Sequence, residues 1–515
     1  MEQQTTHLRT YYRPEWTCGR YNCKKDVAIY YNLIEGISYF FEEDSAYIIG
    51  QILNTPKGTS FNPSSISNID YSNEEISCFL DELVSLKLLS NHAYNKEEIA
   101  LYRQNYSKSN ACNSTDKRPN INNDDEESAE QLFVKACGEE YISSVMFELT
   151  YRCSEKCIHC YNPGATRNDN EKNKRGDRIE LSLADYKRII DELHQIGTYK
   201  VCLSGGDPFS NKYAWDIIDY LYQKDFVIDI YTNGQKIVNQ IDKLANYHPH
   251  SIGISLYSNI PRVHDSITRI KGSYEKTMSV IEQCAKHGIS VRLKCCIMIN
   301  NVQSYHTVKD VAKKYNLIPE FELNITDSLD GDICASKYLR LPQKLMEIVF
   351  RDKDLAYYIG TEGLGKRILN PNDIICGAGV HSFCLTPEGY LEPCCSFPMF
   401  FGNVNNESIS TILTNSKEYN WWKSQKVRNL KECHTHDYCI FCEMCVGNNY
   451  VANGNPLIAS PNNCTLAKYR FELSEKLRKG EDPLQGKTVE ERLSELKIET
   501  PNLHQIKMND YRNKG

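Results

Sequence analysis

Six short apolar runs between residues 140 and 330 alternate with segments whose apolar positions recur every three or four residues. The runs are "SVMFELTY", "KVCLSGG", "FVIDIYTNG", "SIGISLYS", "SVRLKCCIMI" and "PEFELNI", and their length and composition predict buried strands. The intervening "SLADYKRIIDELHQIG" predicts a helix that opens at Ser182, with Asp185 three residues on, and closes at Gly197. "SYEKTMSVIEQCAKHG" repeats that design and closes at Gly288. Strands separated by helices pair in parallel through crossovers, so the pattern predicts an α/β sheet curving toward a barrel. In such a barrel chemistry belongs at the carboxyl ends of the strands.

The flanking pattern differs. "DVAIYYNLIEGISYFF" alternates around a central "NLIEG", which predicts two strands joined by a turn. "EDSAYIIGQIL" and "NEEISCFLDELVSLKLL" follow with helical spacing, the second opening at Ser72, Asn73 and acidic residues. A hairpin with two or three helices makes a module over residues 1–105. "NYSKSNACNSTDKRPNINNDDEESAE" has almost no large apolar residue and predicts a flexible linker over 106–139. The barrel is expected over 140–340, a cysteine-rich unit over 341–465 and a charged helical tail over 466–515. In the tail Thr488 and Glu491 form a capping box, and the apolar positions either pack on the barrel or pair between subunits.

Length and charge narrow the class. A chain of 515 residues with 41% hydrophobic and 25% charged residues is expected to be a soluble protein of two to four folding units. The start "MEQQTTHLRTYYRPEW" has no apolar h-region and no run is long enough to span a membrane, so a cytoplasmic location is expected. A net charge of -7 offers no basic stripe for nucleic acid.

Twenty-two cysteines change the picture, because a reducing compartment disfavours disulfides and leaves metal binding as the better reading. Cys18, Cys78, Cys202, Cys284 and Cys334 are scattered and read as small buried apolar residues. "YRCSEKCIHCYN" instead places Cys153, Cys157 and Cys160 directly after the first barrel strand. Three thiolates on one short loop can hold three irons of a four-iron cluster and leave the fourth open, whereas structural zinc normally requires a fourth protein ligand. "LSGGDPF", residues 203–209, follows the second strand, and Gly205 and Gly206 let the backbone approach a ligand closely.

This 3-then-2 spacing, with His159 before the third cysteine, resembles the signature of the radical S-adenosylmethionine (SAM) superfamily. The resemblance implies that Cys153, Cys157 and Cys160 bind a [4Fe-4S] cluster whose open iron SAM chelates. It also implies that Gly205, Gly206, Asp207 and Pro208 form the loop that meets the SAM amino group, Asp207 replacing the commoner glutamate. Thr232, Asn233, Ser255 and Tyr257, at the third and fourth strand ends, would lie near the SAM carboxylate or ribose, and Ser255 is the one assigned to SAM.

"CGAGVHSFCLTPEGYLEPCC" and "CHTHDYCIFCEMC" resemble the SPASM domain, which binds two auxiliary four-iron clusters. Cys376, Cys384, Cys394, Cys433, Cys439, Cys442, Cys445 and Cys464 are its expected ligands, with Cys395 the spare and His434 a bystander. The second half departs from the family pattern. His436 falls where the second cysteine belongs, and Cys439 is preferred as the ligand because thiolate is the usual one.

The N-terminal module resembles the element that captures a leader peptide as an added strand in enzymes that mature ribosomally made peptides. The expected fold class is α/β: a partial (β/α)6 TIM-like barrel between a small winged-helix-like α+β domain and a Cys-rich iron-sulfur domain. The implied function is a radical SAM peptide maturase with three [4Fe-4S] clusters. It would cleave SAM to a 5'-deoxyadenosyl radical, draw electrons from a flavodoxin- or ferredoxin-type donor and install thioether crosslinks, as sactipeptide and ranthipeptide synthases do. A carbon-carbon cyclase, a formylglycine-forming sulfatase-maturing enzyme and a zinc-binding adaptor are the alternatives.

Overall fold

Three antiparallel strands, β1 (Thr17–Asn22), β2 (Val27–Asn32) and β3 (Ile37–Glu42), form the N-terminal sheet in that order. The computed structural model describes residues 9–113, 127–138, 140–162, 180–329, 334–355, 357–360, 370–433 and 435–501. The "NLIEG" turn joins β2 to β3 as expected, while β1 was not anticipated: "TCGRYN" lacks clean alternation. Helices α1 (Glu43–Leu53), α2 (Asn73–Ser85) and α3 (Lys96–Asn113) follow, and Ser72 and Glu75 form a reciprocal capping box on α2.

The segment expected as a linker holds the end of α3 and a whole helix, α4 (Ala129–Cys137), capped by Ser128 and Gln131; residues 114–126 lie outside the described ones. Helix α4 explains why β2 is buried on both faces. Ala28 and Tyr30 pack toward α1 and α2, whereas Val27, Ile29 and Tyr31 pack against Phe133 of α4 and Tyr141, Tyr199 and Val227 of the next unit.

That next unit is the expected barrel. Strands β4 (Ser144–Glu148), β5 (Lys200–Ser204), β6 (Val227–Thr232), β7 (Ser251–Ser255), β8 (Val291–Cys296) and β9 (Ile318–Glu322) pair in parallel, each with its sequence neighbour. Helix α5 (Leu183–Ile196) carries the predicted Ser182/Asp185 box and ends at Gly197 with φ +96°. Between β7 and β8 lie α6 (Pro261–Thr268) and α7 (Ser273–Lys286). Helix α7 lacks a cap from its own flank: Asp265 of α6 accepts from Gly272 N, Ser273 Oγ and Tyr274 N.

The N-terminal unit docks on the barrel floor, against residues that immediately precede the strands. Arg20 Nε donates to Thr198 O at 3.1 Å, Arg103 Nη2 donates to Ala245 O at 3.0 Å, and Arg13 and Lys57 converge on Asp225. Beyond β4 the same sheet continues into the cysteine-rich unit. β10 (Ser382–Leu385) pairs in parallel with β4, and β11 (Tyr390–Glu392) and β12 (Gly402–Asn403) follow antiparallel.

The tail packs on the body. Lys476 of α9 (Pro461–Arg478) pairs at 2.7 Å with Glu347 of α8 (Gln343–Val349), and Leu466, Leu473, Leu477, Val489 and Leu493 join the main core. Thr488 and Glu491 form the expected capping box. Among the described residues no helix is long and apolar enough to cross a membrane.

Candidate active site

The loop after β4 is laced to its surroundings through backbone groups, which leaves its side chains available. Lys156 N and Ile158 N donate to Thr268 O and Ile267 O at the end of α6, at 2.9 and 3.0 Å. On the other flank Gly206 N donates to Thr150 O at 2.7 Å and Asp207 N to Arg152 O at 3.0 Å. This contact explains the two glycines. A Cβ on Gly205 would stand 2.4 Å from Thr150 O, one on Gly206 2.5 Å from Arg152 O, and Gly205 has φ +121°.

Cys153, Cys157 and Cys160 are thereby held together at the carboxyl end of the barrel. Burial pushes the Cys153 thiol up to about 12 and the Cys160 thiol up to about 11, and raises Cys157 as well. Glu155, inside the loop, is pushed up to about 8 by burial. The His159 ring meets Tyr257 edge-on at 4.9 Å, and burial lowers it to about 4.

Asp207 anchors the glycine loop from within. Its carboxylate is fully buried and accepts from Phe209 N at 3.0 Å, Thr232 Oγ1 at 2.6 Å and Asn233 N at 3.1 Å. The side chain therefore ties the end of β6 to the glycine loop. Pro208 opens the short turn Pro208–Ser210, and Ser255 ends β7 opposite Lys294 in the parallel ladder.

Along the strands Cys202, Tyr231, Lys294 and Glu320 share the inner side of the sheet. Lys294 Nζ lies 4.7 Å from the Tyr231 ring centroid and pairs with Glu320, and Arg292 reaches the same carboxylate at 3.0 Å. Glu322, at the end of β9, accepts from the Tyr357 hydroxyl at 2.8 Å.

The second set of cysteines divides in two. Cys433, Cys439, Cys442 and Cys464 line one cavity of about 230 Å³ with His436, whose ring stacks on Tyr438 at 4.8 Å. Cys376, Cys394 and Cys445 lie within electrostatic reach of one another nearer the barrel. Cys384 is fully buried in β10, within electrostatic reach of Glu148, Glu392, Cys394 and Cys395. Cys395 lies within electrostatic reach of the Tyr161 phenol, one residue past Cys160. His434 and the side chain of Cys334 lie outside the described residues.

The donor set fits iron-sulfur clusters. No disulfide forms among the described cysteines. Each group contains one sulfur that accepts the backbone N–H two residues on: Cys153 from Glu155, Cys376 from Ala378 and Cys442 from Met444, at 3.4, 3.4 and 3.3 Å. Such donors favour a sulfur that carries negative charge. Among the described residues no three His, Cys, Asp or Glu stand close enough to hold a single ion; a cluster brings its own sulfides and spans a wider gap.

Comparison with known proteins agrees with this arrangement. Residues 147–314 match the radical SAM superfamily, and residues 376–446 match SPASM, an iron-sulfur cluster-binding domain. The chain is 30% identical over 315 residues to the antilisterial bacteriocin subtilosin biosynthesis protein AlbA of Bacillus subtilis, covering 58% of this chain and 66% of that protein, just under two thirds of its length. It is 28% identical over 305 residues to the mycofactocin maturase MftC of Mycolicibacterium smegmatis, covering 58% of this chain and 74% of that protein. The crystal structure of Streptococcus suis SuiB bound to precursor peptide SuiA shares the fold, with a TM-score of 0.52 at 13% identity over 88% of this chain and 99% of that one.

Proposed function

We propose that the chain is a radical SAM enzyme with a SPASM domain that modifies a ribosomally made precursor peptide by closing thioether crosslinks, a reading that the matches over residues 147–314 and 376–446 support. Cys153, Cys157 and Cys160 would hold the SAM-binding cluster. Cys376, Cys394 and Cys445 would hold one auxiliary cluster and Cys433, Cys439, Cys442 and Cys464 a second, three in all. The SAM-loaded cluster supplies the power to abstract hydrogen from an unreactive carbon; the chain's own residues bind, orient and enclose.

The observation that carries the reading is the pairing of β10 with β4. It sets the cysteine-rich unit against the first barrel strand, with Cys395 within electrostatic reach of Glu148 and Tyr161. A thioether needs a substrate sulfur and a one-electron acceptor near the carbon that loses hydrogen; the peptide's cysteine would supply the sulfur, and Cys376, Cys394 and Cys445 would hold an auxiliary cluster to take the electron. Lys294 and Arg292 both pair with Glu320 on the inner side of the sheet. Among the described residues the outer edge of β3 has no strand partner, and a leader segment would add there through backbone hydrogen bonds. The similarity to AlbA, a bacteriocin biosynthesis protein, supports a peptide as substrate. A flavodoxin- or ferredoxin-type protein would deliver the electrons.

The test uses anaerobically reconstituted protein, SAM, reductant and a cysteine-containing precursor peptide, followed by iodoacetamide and mass spectrometry. A thioether removes two hydrogens per link and blocks the cysteine from alkylation. A carbon-carbon link removes the same mass but leaves the thiol reactive. Conversion of a sulfatase-derived peptide to an aldehyde would favour formylglycine formation instead. SAM cleavage with no change in any peptide would sink the proposal.

A further inference from the structure

Asn233, at the end of β6, stands apart from the other polar residues around the cluster loop. It is 7% exposed, and its backbone N–H is fixed on Asp207 while its carbonyl accepts from Thr277 Oγ1 at 3.2 Å. Its side-chain Oδ1 accepts the N–H of Gln235 at 3.0 Å, closing a turn that Gly234 completes with φ +81°. With the oxygen so engaged, the orientation of the carboxamide is settled by its network. Nδ2 must point the other way, and there it donates to Cys153 Sγ at 3.2 Å and to Ser154 Oγ at 3.4 Å.

The three loop sulfurs are therefore unequal. Cys153 receives two N–H donors, from Glu155 N at 3.4 Å and from Asn233. Cys157 Sγ lies 3.5 Å from Glu155 Oε2, an acceptor, and 3.9 Å from the Tyr257 hydroxyl. Cys160 Sγ lies 3.8 Å from the Asn162 carbonyl and receives no side-chain N–H among the described residues. Among the described residues no other expected cluster ligand receives a side-chain N–H.

We propose that Asn233 is a positioning residue that donates its carboxamide N–H to the Cys153 sulfur and thereby raises the reduction potential of the cluster held by Cys153, Cys157 and Cys160. A hydrogen bond to sulfur is worth more when the cluster gains an electron, because negative charge on the sulfurs grows, so reduction becomes easier. The inference rests on the cluster assignment and not on the identity of the peptide.

The experiment is a potentiometric titration of the reconstituted full chain followed by electron paramagnetic resonance, tracking the signal that changes when SAM is added. Asn233→Asp keeps the turn to Gln235 and removes the donor. The expected result is a reduction equilibrium about tenfold less favourable, about 59 mV lower for one electron, with iron content unchanged. Asn233→Ser, which keeps a shorter polar side chain, should fall between the two, and it serves as the test variant if Asn233→Asp loses iron. A potential equal to wild type in the variant that retains iron overturns the proposal. If the Cys153, Cys157 and Cys160 triple alanine variant keeps all its iron and the SAM-sensitive signal, the cluster assignment itself fails, which is a separate result.

Discussion

The cluster loop and the auxiliary domain gather thiols in opposite ways. Cys153, Cys157 and Cys160 come from one eight-residue stretch, fixed by backbone hydrogen bonds to α6 on one side and to the glycine loop on the other. The auxiliary sulfurs come from positions between 376 and 464, and Cys464 reaches its cavity from the first turn of α9. A local loop forms its site wherever the first barrel strand is in place. The dispersed groups exist only once β10, the loop around Cys433 and α9 have packed, so the difference teaches that their geometry is a property of the whole fold.

The largest expected effect removes the local site and spares the dispersed ones. Replacing Cys153, Cys157 and Cys160 together by alanine should lower iron from about twelve to about eight per chain and abolish SAM cleavage; iron and sulfide analysis checks the first and product chromatography the second. Next is Cys439→Ala, expected to lower iron by up to about four while the SAM-sensitive signal persists. His436→Ala is its partner: stacked on Tyr438, it should leave the iron count unchanged, and a loss equal to that of Cys439→Ala would exchange their roles. The smallest acts on the loop's support. In Gly206→Ala the new Cβ meets backbone oxygens of Arg152 and Tyr151 at 2.5 and 2.6 Å. Overpacking of roughly 1–3 kcal/mol should weaken SAM binding about ten- to hundredfold, measurable by equilibrium dialysis on iron-replete protein.

The same contrast governs what was legible in the sequence. All six barrel strands, the Ser182 and Ser72 caps and the closing Gly197 follow from local periodicity and end chemistry, and each stands where the pattern put it. The three loop cysteines are equally local. What escaped depends on distant partners. Asp265 caps α7 from the preceding helix, and the Asp207 carboxylate is spent on Thr232 and Asn233 at the end of another strand. β1 owes its place to pairing with β2 rather than to an alternation of its own. The division of the auxiliary cysteines, and the full burial of Cys384 in β10, could not be read from spacing because one chain segment supplies sulfurs to two places.

Docking of the N-terminal sheet on the barrel floor sets a ruler. The floor and the cluster loop are separated by strands of five or six residues, about 17–20 Å. An extended chain advances 3.3–3.6 Å per residue. If a leader is gripped at the outer edge of β3, as proposed above, the peptide must run at least about six residues beyond its grip before any side chain meets the proposed cluster site. Precursors shortened below that spacing would stay bound yet pass through unaltered, and lengthening the spacer would move the first modified position by the same number of residues.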